Sequence, residues 1–148
     1  MPIGRTGIAV AATFIFAQSV ARACSCTPVT FDQQVARATH IFVAHIASTA
    51  EVLDAERGSD PNDPTHYFIE ARYRAIDVLK GSPPDEGVVR DWRPFLGSCS
   101  ARLMAGTEFI IFASAQLGTN MCSGTTWFNP VKGKDELSRI RKVLETVQ

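Results

Sequence analysis

The sequence lacks an excess of charge of either sign. Its 148 residues carry 15 Lys and Arg against 15 Asp and Glu, so the formal net charge is zero. Proteins that bind nucleic acid draw most of their affinity from Lys and Arg placed against phosphates, and this composition predicts no such surface. Nucleic acid is therefore excluded as the expected partner.

The chain also lacks a pattern of side chains that indicates catalysis or a resident metal. Its three histidines, His40, His45 and His66, have no second ligand at the i, i+4 spacing of a helical zinc site. The carboxylate pairs that could be considered for hydrolysis are Glu70 with Asp77 and Asp91 with Glu108. No spacing supports either pair, and solvated strand faces explain these residues better. We therefore expect a protein that is not an enzyme and that has no cofactor of its own.

The only long apolar run of the sequence lies before residue 21, and no comparable run follows it. Residues 7–20 are almost wholly apolar, follow the single basic residue Arg5 and lead into Ala21-Arg22-Ala23. This order is typical of a secretory signal with an A-x-A cleavage site. No later segment approaches the roughly 20 apolar residues that a membrane-spanning helix needs. We predict a signal peptide over residues 1–23, and residues 24–148 as a soluble domain, secreted or periplasmic, with no membrane attachment after cleavage.

Cleavage after Ala23 would make Cys24 the mature N-terminus. A bacterial lipoprotein signal also ends at a cysteine, but it usually has Leu three residues earlier and small uncharged residues nearby. Here Ala21 and the charged Arg22 occupy these places. The favoured interpretation is a free Cys24. Without Arg5 and Arg22, thirteen basic residues face fifteen acidic ones, a net charge of −2 over about 125 residues, which is the size of one domain.

Cysteine is scarce, with only Cys24, Cys26, Cys99 and Cys122. In an exported chain four cysteines predict two disulfides, for which three pairings exist. A bond between Cys24 and Cys26 is the least favoured because one intervening residue would strain the backbone. Either remaining pairing fastens the N-terminal segment by two long-range links, each worth roughly 3 to 5 kcal/mol in the loop-entropy model. The C-x-C spacing, in place of C-x-x-C, argues against a redox centre.

Apolar periodicity predicts five strands between two helices. The predicted elements are a helix over 31–38, strands over 40–48, 67–79, 87–92 and 108–115, a short strand that contains Cys122 and ends near Phe128, and a helix over 135–147 capped by Asp135. A polar loop is expected over 50–66. Strands of this number and length favour a mainly β fold, a small antiparallel barrel of which the five-stranded OB-fold is the commonest example.

The segment Cys24-Ser25-Cys26-Thr27-Pro28-Val29, followed by Gln33-Gln34, resembles the N-terminus of the tissue inhibitors of metalloproteinases. Further matching features follow in the family's order: the strand over 41–47, the strand end Val78-Leu79-Lys80-Gly81, the isolated Cys99, and Cys122 after the last long strand. The resemblance spans residues 24 to about 128. The animal inhibitors have a third bridge rooted in the first helix, where residues 35–37 offer no cysteine, and a cysteine-rich second domain that is missing here. The resemblance thus implies a minimal, single-domain, bacterial relative.

That resemblance implies a fold, a disulfide pairing and a function. The fold is the OB-like barrel of the netrin-like (NTR) group, and the bridges join Cys24 to Cys99 and Cys26 to Cys122. The function is inhibition of zinc metalloendopeptidases, in which the α-amino group and the carbonyl of Cys24 chelate the catalytic zinc of the target protease. The residues that contact the protease would be Ser25, Cys26, Thr27, Pro28, Val29, Gly97, Ser98 and Cys99. A second interpretation stays open: a netrin-like module that binds another envelope or extracellular protein without touching a metal.

Overall fold

The computed structural model describes residues 24–94 and 98–147. The predicted signal peptide and Gly97 lie outside these residues. Within them, no helix is both long and apolar enough to cross a membrane.

The chain is mainly β, with five antiparallel strands in one sheet and a helix before and after it, as the sequence predicts. The elements are α1 (Phe31–Arg37), β1 (His40–Leu53), β2 (Tyr67–Lys80), β3 (Glu86–Trp92), β4 (Glu108–Ala113), β5 (Thr126–Trp127) and α2 (Gly133–Val147). The strand order is β3-β2-β1-β4-β5, which leaves β3 and β5 as the two edges. The sheet is therefore open, and ladder pairing alone does not close a barrel. One isolated parallel bridge, Arg90 to Gly118, joins β3 to the chain that follows β4.

Strand β1 lies between two hydrophobic clusters, which explains why both of its faces are buried. On one face Phe42, Ala44 and Ile46 pack with residues of β2, β3 and β4. On the other face Ile41 and Val43 pack with residues of α1, α2 and β4. An apolar run without alternation predicts this two-sided burial, because each face of the strand has its own core.

Several element boundaries differ from the sequence prediction. Strand β1 continues to Leu53 because its pairing with β2 extends through Val52 and Phe68, so the loop runs over 54–66. Cys122 lies in a 3₁₀ turn, Met121–Ser123, and not in a strand. Helix α2 begins two residues before Asp135, so this residue lies in the first turn and is not the cap. Its charge still suits the positive end of the helix dipole.

The turn after β2 depends on Gly81, the last residue of the strand-end motif noted above. Its φ is +74°, in the region that L-residues with side chains rarely adopt. A Cβ atom there would lie 2.4 Å from His40 Nδ1 and 2.5 Å from the Thr39 carbonyl oxygen. The turn is therefore packed directly against the start of β1.

We predict that Gly81→Ala destabilises the protein, because the substitution combines left-handed strain of about 1 to 3 kcal/mol with a steric clash. Gly106→Ala is the matched control, since Gly106 has a similar φ of +79° but no atom within 4 Å of the added Cβ. Chemical denaturation should show a larger loss of unfolding free energy for the first variant. Equal losses would show that the contact with His40 and Thr39 is unimportant.

Candidate functional site

Two disulfides fasten the N-terminal end of the described chain to distant parts of the sequence. Cys24 is bonded to Cys99 and Cys26 to Cys122, with Cα–Cα distances of 5.3 and 5.4 Å and sequence separations of 75 and 96 residues. This is the pairing that the family resemblance implies and that residue spacing left open. We call residues 24–29 the tethered terminus, because two covalent links hold it at points only two residues apart.

The two bridges also touch each other. Cys24 Sγ lies 3.9 Å from Cys122 Sγ, a van der Waals contact because sulfurs in disulfides carry no hydrogen. The backbone N–H of Met121 donates to the Cys99 carbonyl at 2.8 Å, so the two segments that receive the bridges are hydrogen bonded to each other. The bridges and this hydrogen bond form one connected unit.

The sulfurs of Cys24, Cys26 and Cys122 lie within 4.8 Å of one another, and they form the only cluster of three or more potential metal-binding side chains in the described part of the chain. A thiolate is the metal-binding form of cysteine, and all four cysteines are engaged in disulfides. The side chains of this site therefore offer no metal ligand in the oxidised protein.

The segment that carries Cys122 is held by hydroxyl and amide side chains. Asn120 Oδ1 accepts from the backbone N–H groups of Cys122 at 2.8 Å and Ser123 at 3.1 Å, which caps the 3₁₀ turn. Thr119 Oγ1 donates to the Phe112 carbonyl at 3.0 Å, and Thr125 Oγ1 accepts from the Phe112 N–H at 2.9 Å. These bonds attach the residues on both sides of Cys122 to the buried strand β4.

The tethered terminus is itself exposed and has neither helical nor strand structure. Ser25, Cys26, Thr27 and Pro28 are exposed, whereas Cys24 and Val29 are partly buried. Val29 lies over a hollow of about 210 Å³ that is also lined by residues of α1 and of the Cys122 turn. An exposed segment with little apolar burial of its own is here fixed mainly by its bridges.

Helix α1 begins directly after this segment and fixes its far end. Thr30 Oγ1 accepts from the Gln33 N–H at 3.2 Å, and Gln33 Oε1 accepts from the Thr30 N–H at 2.9 Å, which is a capping box. At the other end of α1, Lys80 Nζ donates to the carbonyls of Val35 at 2.8 Å and Ala36 at 3.0 Å. The helix is thereby bound to β2.

The segment that carries Cys99 is organised by a buried carboxylate that sequence analysis missed. Asp91 is only 2% exposed, so the prediction that it lies on a solvated face is wrong. Its Oδ1 accepts from the N–H groups of Trp92 at 2.8 Å and Ala101 at 2.9 Å, and its Oδ2 accepts from Ser100 Oγ at 2.9 Å. Within residues 24–94 and 98–147, no cation forms an ion pair with it.

The other carboxylates of the two candidate pairs have different surroundings. Glu70 and Asp77 are partly exposed and pair with Arg90 at 3.4 Å and Arg141 at 2.6 Å. These ion pairs account for Glu70 and Asp77 without a catalytic role, in agreement with their interpretation as residues on the strand surface. Glu108 is partly exposed at the start of β4.

Most of the predicted contact residues are brought together by the two bridges. The bridge from Cys24 places Ser98 and Cys99 beside the tethered terminus, while Gly97 lies outside the described residues. Asn120 and Asp91, which support the two receiving segments, were not predicted as site residues. An Asn two residues before a cysteine is a turn signal that sequence reasoning can use. A lone Asp in an alternating strand carries no such signal.

A cleft of about 340 Å³ lies beside this site, between the β1–β2 loop and β3. The Arg57 guanidinium lies 3.8 Å from the centre of the Trp92 ring and forms an ion pair with Asp54 at 3.1 Å. These contacts attach the base of the loop to β3. Asn120 lines both this cleft and the hollow under Val29, so the cleft continues towards the tethered terminus.

No protein-family model matches this chain, and no curated protein matches it. The resemblance described above therefore depends on the residues of the tethered terminus and on the order of the elements behind it.

The surroundings of Asp91 predict a pH-dependent stability. Burial raises the pKa of the Asp91 carboxyl above its ordinary value of 3.8, and the hydrogen bonds that lower this pKa offset burial only in part. A carboxyl whose pKa is higher in the folded state stabilises that state most below the unfolded-state pKa. The contribution is lost as the pH rises through the folded-state pKa.

We predict that Asp91→Asn costs roughly 1 to 3 kcal/mol, because the amide nitrogen would face hydrogen-bond donors. Asn does not titrate, so the stability difference between the two proteins should be larger below pH 3.8 than near neutrality. Urea denaturation of both proteins across this pH range gives the difference in their free energies of unfolding, in which the contributions of the other titrating groups cancel. A difference that grows as the pH rises would show that the hydrogen bonds lower the pKa of Asp91 by more than burial raises it.

Proposed function

We propose that the mature protein is a secreted or periplasmic inhibitor of zinc metalloendopeptidases that acts through Cys24. The observation that supports this best is the tethered terminus, an exposed segment held at two neighbouring points by bridges that touch each other. Binding is favoured when a segment is held in one conformation before it meets its partner, because less entropy is then lost. Chain ends are usually poorly ordered, so bridges at two neighbouring points make this one unusually well fixed, although they also stabilise the fold as a whole.

The chemistry belongs to the backbone of Cys24. Its side chain is engaged in the bond to Cys99, which leaves the α-amino nitrogen and the carbonyl oxygen as metal ligands after signal cleavage. An α-amino group has a pKa of roughly 8, so an appreciable fraction is neutral near pH 7 and carries a free lone pair. The amine and the carbonyl of one residue form a five-membered chelate, which would occupy the open position of a catalytic zinc and displace its water. The zinc is the partner's own.

The neighbouring residues would occupy the substrate cleft of the protease. Ser25 is exposed next to the chelating residue and would enter the pocket beside the metal. Thr27, Pro28 and Val29 would follow the cleft like a substrate segment. Gly97, Ser98 and Cys99 would support them from the side, and the bridge between Cys24 and Cys99 keeps the last two in place.

The same proposal includes the fold of the netrin-like group, an OB-like barrel. The sheet is open, but Arg90 N–H donates to the Leu117 carbonyl at 2.9 Å and Thr119 N–H donates to the Arg90 carbonyl at 2.8 Å. These two bonds bring the edge strand β3 against the chain after β4. They support a partly closed barrel around the cluster that contains Phe42 and Tyr73.

We predict that adding one alanine before Cys24 abolishes inhibition. The extension converts the Cys24 nitrogen into an amide, which is a very poor zinc ligand, and leaves both bridges and the core unchanged. Inhibition of a panel of zinc endopeptidases should be measured for the mature and the extended protein, with thermal melts that are expected to coincide. Equal inhibition by both forms would contradict chelation. No inhibition by either form, with matching melts, would instead favour a netrin-like module that binds another envelope or extracellular protein.

We further predict that Ser25→Gly weakens inhibition modestly and Ser25→Arg severely. The first removes a small pocket contact, whereas the second introduces a bulky charge beside the metal. Because Ser25 is exposed, neither substitution should change the free energy of unfolding by more than about 0.5 kcal/mol, and the melting temperatures should therefore be close to that of the wild type. Inhibition constants give the order of the variants. An Arg variant as potent as the wild type would place Ser25 outside the contact.

A further inference from the structure

The buried carboxylate of Asp91 has no role in the chelation chemistry, yet it is connected to the chelating residue by a short chain of contacts. Asp91 Oδ2 accepts from Ser100 Oγ at 2.9 Å, Ser100 directly follows Cys99, and Cys99 is bonded to Cys24. Ser100 is itself buried, at 5% exposure. Every residue between the carboxylate and Cys24 is thus joined by a covalent bond or by a buried hydrogen bond.

The hydrogen bonds of Asp91 are concentrated on the segment after Cys99. Besides Ser100, the carboxylate accepts from the Ala101 N–H at 2.9 Å, and Ser100 Oγ in turn accepts from the Arg102 N–H at 2.9 Å. Arg102 has a φ of +58°, a conformation that residues with side chains seldom adopt unless their surroundings impose it. The carboxylate and the hydroxyl together hold three successive residues in an otherwise irregular segment.

A carboxylate can accept from each of these hydrogen-bond partners, because all of them are donors, although burial still raises the pKa of Asp91. A carboxylate accepts through two oxygens and several lone pairs, whereas an amide of the same shape presents a donor on one side. A buried carboxylate without a cation is costly, and it is retained only where several hydrogen bonds replace its hydration. Such a residue fixes geometry more than it contributes to net stability.

We propose that Asp91 is a positioning residue for the N-terminal amine, acting through Ser100, Cys99 and the bridge to Cys24. This proposal extends the inhibitory function proposed above, but its first consequence concerns the bridge alone. When Asp91 is replaced, the segment after Cys99 loosens, and the bridge between Cys24 and Cys99 becomes more accessible. The bridge between Cys26 and Cys122 touches the first one, but its own segment is also held by Asn120 and by the hydroxyls at β4, so we expect it to be affected much less.

The test is limited reduction of Asp91→Asn, with the second bridge as an internal reference. A water-soluble phosphine is added to the folded protein at mildly acidic pH, where few thiolates form and a freed Cys24 exchanges only slowly with the bridge at Cys122, 3.9 Å away. Free thiols are alkylated at intervals, and the four cysteine peptides are quantified by mass spectrometry. Reduction of the bridge between Cys24 and Cys99 should accelerate about tenfold relative to wild type, the effect of one ordinary hydrogen bond on a local opening equilibrium. Reduction of the other bridge should change much less.

Two further variants separate positioning from general destabilisation. Val143→Ala weakens the cluster between the helices and the sheet, which contains neither Asp91 nor any residue of the segment after Cys99, and should leave the ratio of the two reduction rates unchanged. Ser100→Ala removes one link of the chain and should raise that ratio in the same direction as Asp91→Asn, which also covers the case in which Asp91→Asn does not fold. Equal acceleration of both bridges, or the same ratio in Val143→Ala, would overturn the proposal.

Inhibition is measured on the same proteins at a temperature well below all their melting transitions. Weaker inhibition by Asp91→Asn and Ser100→Ala, with Val143→Ala equal to wild type, supports positioning of the amine. If the wild type does not inhibit but the reduction ratio still changes, the proposed function fails and the support of the bridge by Asp91 stands. If the wild type inhibits and the reduction ratio does not change, Asp91 is not a positioning residue.

Discussion

The covalent attachment of the tethered terminus to two segments that are hydrogen bonded to each other is the constraint on which this structure depends. Each bridge closes a long loop, and the loop-entropy model assigns about 4 to 5 kcal/mol to a closure of such length. The contact between Cys24 and Cys122 and the bond from Met121 to Cys99 then make the two links into one unit. The two bridges therefore hold the tethered terminus in place, although it buries little apolar surface.

The rigidity of that unit depends on the two segments that carry Cys99 and Cys122, and these segments are attached to different strands of the sheet. The Cys122 turn is attached to β4 through Thr119 and Thr125, and β4 is buried because it pairs with β1 between the two clusters. The Cys99 segment is attached to the end of β3 through the Asp91 carboxylate. Strands β3 and β4 are not neighbours in the sheet order. The isolated β-bridge between Arg90 and Gly118 brings the end of β3, which holds the Cys99 segment, close to the chain after β4, which carries Cys122.

Sequence patterns predicted the elements whose burial follows a period, and missed the features that depend on tertiary contacts. The alternation over 67–79 predicted β2 to within one residue, and the apolar run over 40–48 predicted the first part of β1. The extension of β1 to Leu53 was not predicted, because residues 49–53 are exposed except for the partly buried Val52, so they show no buried face and are strand through their pairing with β2. The burial of Asp91 was equally invisible, since its partners are backbone N–H groups and a serine nine or ten residues further on. The disulfide pairing required a comparison with a family, because spacing allows both long-range alternatives.

The way in which rigidity is obtained here determines what the surface can do. Hydrophobic packing immobilises a segment only by covering it, which would hide the residues that meet a partner. Disulfides and buried hydrogen bonds act at Cys24, Cys26 and Asp91, behind or beside the exposed side chains of Ser25, Thr27 and Pro28. The segment can therefore be exposed and held in one conformation at once. Under the proposed function this combination favours binding, because an unsupported chain end would have to be ordered before the amine and the carbonyl of Cys24 could meet a metal, and the bridges have already ordered it.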